Sequence, residues 1–244
     1  MAIYVDTSTQ VKKKNRLLAG VFGWVFIGLL ITIVSAYAVG FILVYSLTGG
    51  GSADFVSVAN MYSWLMILSV TVHLVLTITM NVMLIRNRRD GNIMVPYILY
   101  TANFGIMLSP YVLLVESATL GIGLGMALLL FGVMYLVARF SKVNLRPLGM
   151  IGGSLFIGLL LISLITAFLP TSTGLYWFLS LGSFAAIMLI TMYDIWVVVR
   201  MDRELPEEYV TRNLQLALAL RIYIDFIWIL VRIIQFVAIS RSYN

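Results

Sequence analysis

Charged side chains in this chain come in clusters separated by long uncharged runs. None stands between Arg16 and Asp54, between Asp54 and Arg86, between Glu116 and Arg139, or between Arg146 and Asp194. A soluble domain carries about 25% charged residues because its surface must be solvated. Here 11% of 244 residues are charged, 61% are hydrophobic and the mean hydropathy is +1.02. Lipid must therefore replace water as the main solvent, and the expected fold class is an all-α integral membrane protein. At about 20 residues per span, the chain accommodates seven transmembrane helices with short connections. No length remains for a soluble catalytic domain, so function is expected to reside inside the bundle.

Seven apolar stretches are read as spans: 17–47, 62–85, 93–115, 118–137, 147–169, 175–199 and 213–240. This divides the chain into a polar N-terminal segment (1–16), a single seven-helix domain (17–240) and a short stub (241–244). The first stretch is too long for the apolar region of a cleaved signal peptide and is expected to remain as a signal anchor. Turn signals separate the others: Gly49-Gly50-Gly51, the run from Arg86 to Gly91, Glu116-Ser117, and Pro170 to Gly174. Pro147 suits the first turn of a helix. Residues 200–212 read as a solvated connector.

Basic residues set the orientation. Lys12, Lys13, Lys14 and Arg16 precede the first span; Arg86, Arg88 and Arg89 follow the second; Arg139, Lys142 and Arg146 follow the fourth; and Arg200, Arg203, Arg212 and Arg221 flank the junction of the sixth and seventh. Of 16 basic residues only Arg232 and Arg241 lie elsewhere. A cytoplasmic N-terminus and an outside C-terminus follow. The net charge of +6 is thus read as topology, with no nucleic-acid partner.

Residue types that are scarce exclude further classes. Without Cys there is no disulfide, thiolate nucleophile or thiolate metal site, and a lone histidine, His73, cannot build a multi-histidine centre. A retinal protein needs a lysine in its last helix, whereas the final lysine is Lys142 in a loop. Gly152-Gly153-Ser154 lacks the elbow of a serine nucleophile, and no enzyme or cofactor is expected. Small-xxx-small spacing in Gly121 to Gly125 and in Gly149 to Gly153 reads as close helix packing within the bundle, with a dimer interface as the alternative.

The ionisable groups left inside the spans are Asp194, Asp225, Arg232 and His73, with Arg86 and Arg221 at the margins. Such groups are costly in hydrocarbon, usually face the bundle interior and mark functional sites. Asp194 lies six residues before Arg200, about 9 Å inward, and Asp225 lies four residues after Arg221, about 6 Å inward. Antiparallel neighbours would bring both carboxyls to one depth, where they cannot both ionise cheaply. The pair then reads as a proton switch or, when both are ionised, as a ligand for a hard cation such as Ca²⁺. The plain alternative is a structural hydrogen bond or ion pair. Arg86 can supply a counter-charge from the end of the second span, and Arg221 reads as a snorkelling boundary. Arg232 lies seven residues beyond Asp225 on the same helical face, to be satisfied by water or a carbonyl. His73 reads as either a hydrogen-bonding residue or a pH sensor.

The last third of the chain resembles the transmembrane BAX inhibitor motif family. Met192-Tyr193-Asp194-Ile195 is similar to its span-six tyrosine-aspartate element, and Leu218 to Ile227, with Tyr223-Ile224-Asp225-Phe226, is similar to its closing signature. Gly23-Trp24-Val25-Phe26 and Leu108-Ser109-Pro110 also fit. The resemblance implies a bacterial member with seven helices, span seven central, and a pH-controlled Ca²⁺ leak. It further implies that Asp194 and Asp225 form the sensor pair and that Arg86 engages it as the gating counter-charge. Gln235 stands where the family commonly has arginine, and Arg232 where it is usually uncharged. The implied function is a calcium leak channel of the plasma membrane. Its partners are the lipid bilayer, protons and Ca²⁺ as the transported ion, together with unidentified membrane proteins. A proton-coupled cation exchanger and a non-conducting membrane scaffold are the competing readings.

Overall fold

The computed structural model describes residues 16–48, 55–86, 93–168 and 172–242. Every expected span is a helix: α1 (Arg16–Thr48), α2 (Phe55–Arg86), α3 (Met94–Leu114), α4 (Ser117–Phe140), α5 (Arg146–Thr166), α6 (Thr173–Glu204) and α7 (Arg212–Ser242). A 3-10 turn, Glu207–Tyr209, joins the last two, and no strand occurs among the described residues. All seven helices are long and apolar enough to cross a membrane. Helices α1, α2, α6 and α7 have 31 to 33 residues. At about 1.5 Å per residue they exceed a hydrocarbon core of about 30 Å, so their ends reach the headgroups or water.

Two boundaries differ from the sequence expectation. Helix α2 starts at Phe55, well before the strongly apolar stretch. Helix α6 does not stop at Val199 but runs to Glu204, so the first part of the expected connector is helical. The extension is held by its polar residues: Arg200 Nε donates to Glu204 Oε1 at 2.7 Å across one turn. Helix starts follow local chemistry. The Ser172 hydroxyl accepts from the Leu175 amide at 3.3 Å, the Thr211 hydroxyl accepts from the Leu214 amide at 3.2 Å, and Pro147 stands in the first turn of α5.

The described residues fall into two compact units. One draws on Ala19–Leu120 and Glu208–Leu220. In it the Tyr97 hydroxyl donates to the Trp24 carbonyl at 2.6 Å and the Thr32 hydroxyl donates to the Thr101 carbonyl at 3.0 Å, tying α1 to α3. Gly105 permits this approach, because a Cβ there would collide with the Thr32 carbonyl oxygen. Helices α2 and α3 are clamped by a reciprocal pair: Ser69 Oγ donates to Asn103 Oδ1 and Asn103 Nδ2 donates to the Ser69 carbonyl, both at 3.0 Å. Lipid supplies little hydrophobic drive between helices, so packing and such buried hydrogen bonds hold the unit together.

The other unit draws on Met1–Leu18, Gly121–Glu207 and Arg221–Asn244. Helices α5 and α6 lie close because Gly152 has no side chain; a Cβ there would stand 2.9 Å from the Ala186 carbonyl oxygen. Phe131 of α4 meets Phe226 of α7 edge-on at 5.0 Å, and Phe236 of α7 packs against Trp177 and Phe184 of α6. The small-xxx-small stretches behave unequally. Gly149 packs on the Tyr193 ring and Gly123 on Ile234, whereas a Cβ at Gly121, Gly125 or Gly153 would meet nothing within 4 Å. The most covered spans are the two that bear the aspartates: 44% of the most apolar stretch of α6 and 39% of that of α7 are buried.

Lys12 to Lys14, the glycine loop at 49–54, the turn with Arg88 and Arg89, and Pro170 lie outside the described residues. So does the side chain of Arg86, whose backbone closes α2.

Candidate functional site

The second unit brings Asp194 of α6 and Asp225 of α7 together. Asp194 is 3% exposed, on a helical face that also buries Ile187, Thr191, Ile195 and Val198. Asp225 follows the fully buried Tyr223 and precedes the buried Phe226 and Ile227. Those neighbours carry large apolar side chains that anchor α7 and fix the direction of the carboxyl. The two carboxyl groups lie within hydrogen-bonding reach of each other, an arrangement that needs one proton between them, and the Thr191 hydroxyl lies within reach of Asp225. Both Asp194 oxygens and Asp225 Oδ2 are enclosed without an aligned hydrogen-bond donor. Enclosed carboxylate oxygens are costly unless a proton or a cation compensates them, and the arrangement can hold either.

Arg221 belongs to the site, where the sequence had suggested a boundary residue. Its Nε lies 2.7 Å from Asp194 Oδ2 in a charge contact. The arginine side chain is 60% exposed while that of the aspartate is 2% exposed, so the cation reaches inward from an open side. The spacing is compatible with this place without singling it out: Arg221 and Asp225 stand four residues apart and share one face of α7.

The remaining candidates lie elsewhere. Arg232 donates to the side-chain carbonyl oxygen of Gln235, Oε1, at 3.2 Å and approaches Ser180 Oγ at 3.5 Å, so a carbonyl takes the role expected of one. His73 is in the first unit, with its ring centroid 4.4 Å from that of Tyr100 and 4.9 Å from that of Phe104. Its Nδ1 is buried without a hydrogen-bond partner. Arg86 is also on a helix of the first unit.

Sequence reasoning missed Asp202. It is buried, at 9% exposure, and its Oδ1 accepts from the Leu18 amide at 3.0 Å, capping the first turn of α1 from the end of α6. Its neighbour Arg203 donates to the Arg139 carbonyl at the end of α4. Each charge suits the helix end it meets. Nothing local announces a cap supplied from so far along the chain.

The profile of the family described as "Inhibitor of apoptosis-promoting Bax1" matches residues 14–242. The chain belongs to that family. The Bax1-inhibitor profile covers all seven spans and includes both Asp194 and Asp225. An uncharacterized protein of Borreliella burgdorferi is 24% identical over 235 residues, covering 96% of each chain. The resemblance seen around the two aspartates is thus a property of the whole chain, and this Bax1-inhibitor family member is a multi-pass membrane protein.

Proposed function

We propose that the protein is a pH-gated Ca²⁺ leak channel of the plasma membrane and not an enzyme. The observation that carries this reading is the enclosed Asp194–Asp225 carboxyl pair within two long membrane helices, toward the ends that the connector joins. With one proton shared, the pair holds a single negative charge, matched by a nearby arginine. When the proton leaves, two negative charges face each other in a medium of low dielectric, and their repulsion must be relieved by a cation or by movement of a helix. Either response couples proton concentration to the arrangement of α6 and α7, which is what a gate requires. Arg86, at the end of α2, is the counter-charge whose engagement distinguishes the closed from the open arrangement in this reading.

The donor set suits a passing Ca²⁺ better than a resident one. Ca²⁺ takes six to eight oxygens, whereas the pair offers two carboxyls and the Thr191 hydroxyl. Among the described residues no group of three or more acidic or histidine side chains converges elsewhere. Water completes the shell of an ion in transit, and the weak site lets the ion leave.

The test is Ca²⁺ entry into liposomes containing the purified protein, with the same pH on both sides. A leak channel passes Ca²⁺ without a proton gradient. Flux no greater than in protein-free liposomes contradicts the proposal, and flux that requires an opposing proton gradient at fixed stoichiometry replaces it with an exchanger.

A further inference from the structure

We infer that Arg221 is a tethered cation that occupies Asp194 in competition with Ca²⁺. This rests on reading the Asp pair as a Ca²⁺ transit point. Asp194 Oδ2 is enclosed, with Arg221 Nε 2.7 Å away, so an ion approaching that oxygen meets the guanidinium first. No other described cation serves the pair. Arg200 is held by Glu204 at 2.7 Å and stacks over the Trp196 ring at 5.2 Å. Arg203 is spent on the Arg139 carbonyl, and Arg232 on Gln235 and Ser180.

The contact is built to open. With 60% of its side chain uncovered by protein, Arg221 is free to swing away from Asp194. It is also attached through the helix that carries Asp225, which keeps its local concentration near the pair constantly high. A divalent ion that contacts both carboxyls gains more Coulomb energy than a monovalent guanidinium that contacts one. Displacement is therefore favoured for Ca²⁺ over K⁺ or Na⁺ by its charge, and the tether filters by charge as well as lowering Ca²⁺ affinity. The sequence places this arginine one helical turn before Asp225, where a swing about its own side chain suffices and no helix needs to move.

Equilibrium binding of ⁴⁵Ca²⁺ to the purified full chain tests the inference, with Asp194→Asn, which lacks the carboxylate that Arg221 contacts, serving only as the control for binding elsewhere. Arg221→Gln is expected to tighten Ca²⁺ binding about two- to fivefold, the range set by an exposed ion pair. Arg221→Lys, which keeps the charge, is expected to bind close to wild type. Unchanged affinity in Arg221→Gln overturns the inference, as does the absence of Ca²⁺ binding to either protein. A second measurement needs no variant that might misfold: the arginine Nε–H resonance of Arg221 in the wild-type protein, followed as Ca²⁺ is added. Movement toward the position of a free, water-exchanging guanidinium supports displacement, and a fixed resonance at saturating Ca²⁺ contradicts it. The two claims fail separately. Tighter binding in Arg221→Gln without liposome flux removes the channel and keeps the competitor, whereas flux with unaltered affinity does the reverse.

Discussion

Asn103 shows what a single polar residue does in a protein whose helices have lipid for solvent. It is 7% exposed on α3 and exchanges two hydrogen bonds with Ser69 of α2. Replacing it by Ala leaves the Ser69 hydroxyl and carbonyl without these partners. Asn103→Ala should therefore lower stability by about 1 to 2 kcal/mol, seen as an earlier thermal unfolding transition in detergent. An unchanged transition would mean that the clamp is replaced by other contacts. His73 illustrates the opposite arrangement on α2. Its ring is packed against Tyr100 and Phe104, so aromatic contacts hold it in place. Asp194 and Asp225 differ from both, since two carboxyls that repel when ionised share one enclosed site beside Arg221.

Helices carry these residues to their places, and the ends of the helices decide how firmly. Asp202 of α6 caps α1 through the Leu18 amide. Asp202→Ala should cost about 1 kcal/mol and speed hydrogen exchange of the amides in the first turn of α1, with the rest of the helix unchanged. Exchange that stays slow there would show that the cap is not what protects that turn. The same elements show how much the sequence discloses. Long apolar runs between charge clusters locate all seven helices, because hydrocarbon thickness leaves few alternatives. Asp194 and Asp225 stand out because charge is costly in lipid. Polar helix ends are harder to read: α6 continues through Arg200 to Glu204 because an ion pair across one turn and two long-range caps hold it, and hydropathy reports none of these. Arg221 is hidden for a related reason. Near a membrane boundary an arginine that anchors and one that reaches inward have the same sequence signature. Glycines are ambiguous too, since Gly149 and Gly152 pack against α6 while a Cβ at Gly121 or Gly125 would meet nothing within 4 Å.

At the scale of the whole molecule, the family match and the seven helices agree on a multi-pass membrane protein of the Bax1-inhibitor family. Its two most covered spans, α6 and α7, contribute the two aspartates. Proton uptake at that point changes charge where the chain is least able to solvate it. In the proposed function a gate placed there responds to pH through the charge of the pair. Under the same proposal this pair makes Ca²⁺ passage depend on pH. Its most direct test is Ca²⁺ flux into proteoliposomes at matched pH on both sides, from about pH 6 to 8, for the wild type, Asp194→Asn and Asp225→Asn. The account predicts a flux that changes with pH in the wild type and is flattened in both variants. A pH profile that survives both substitutions would contradict it.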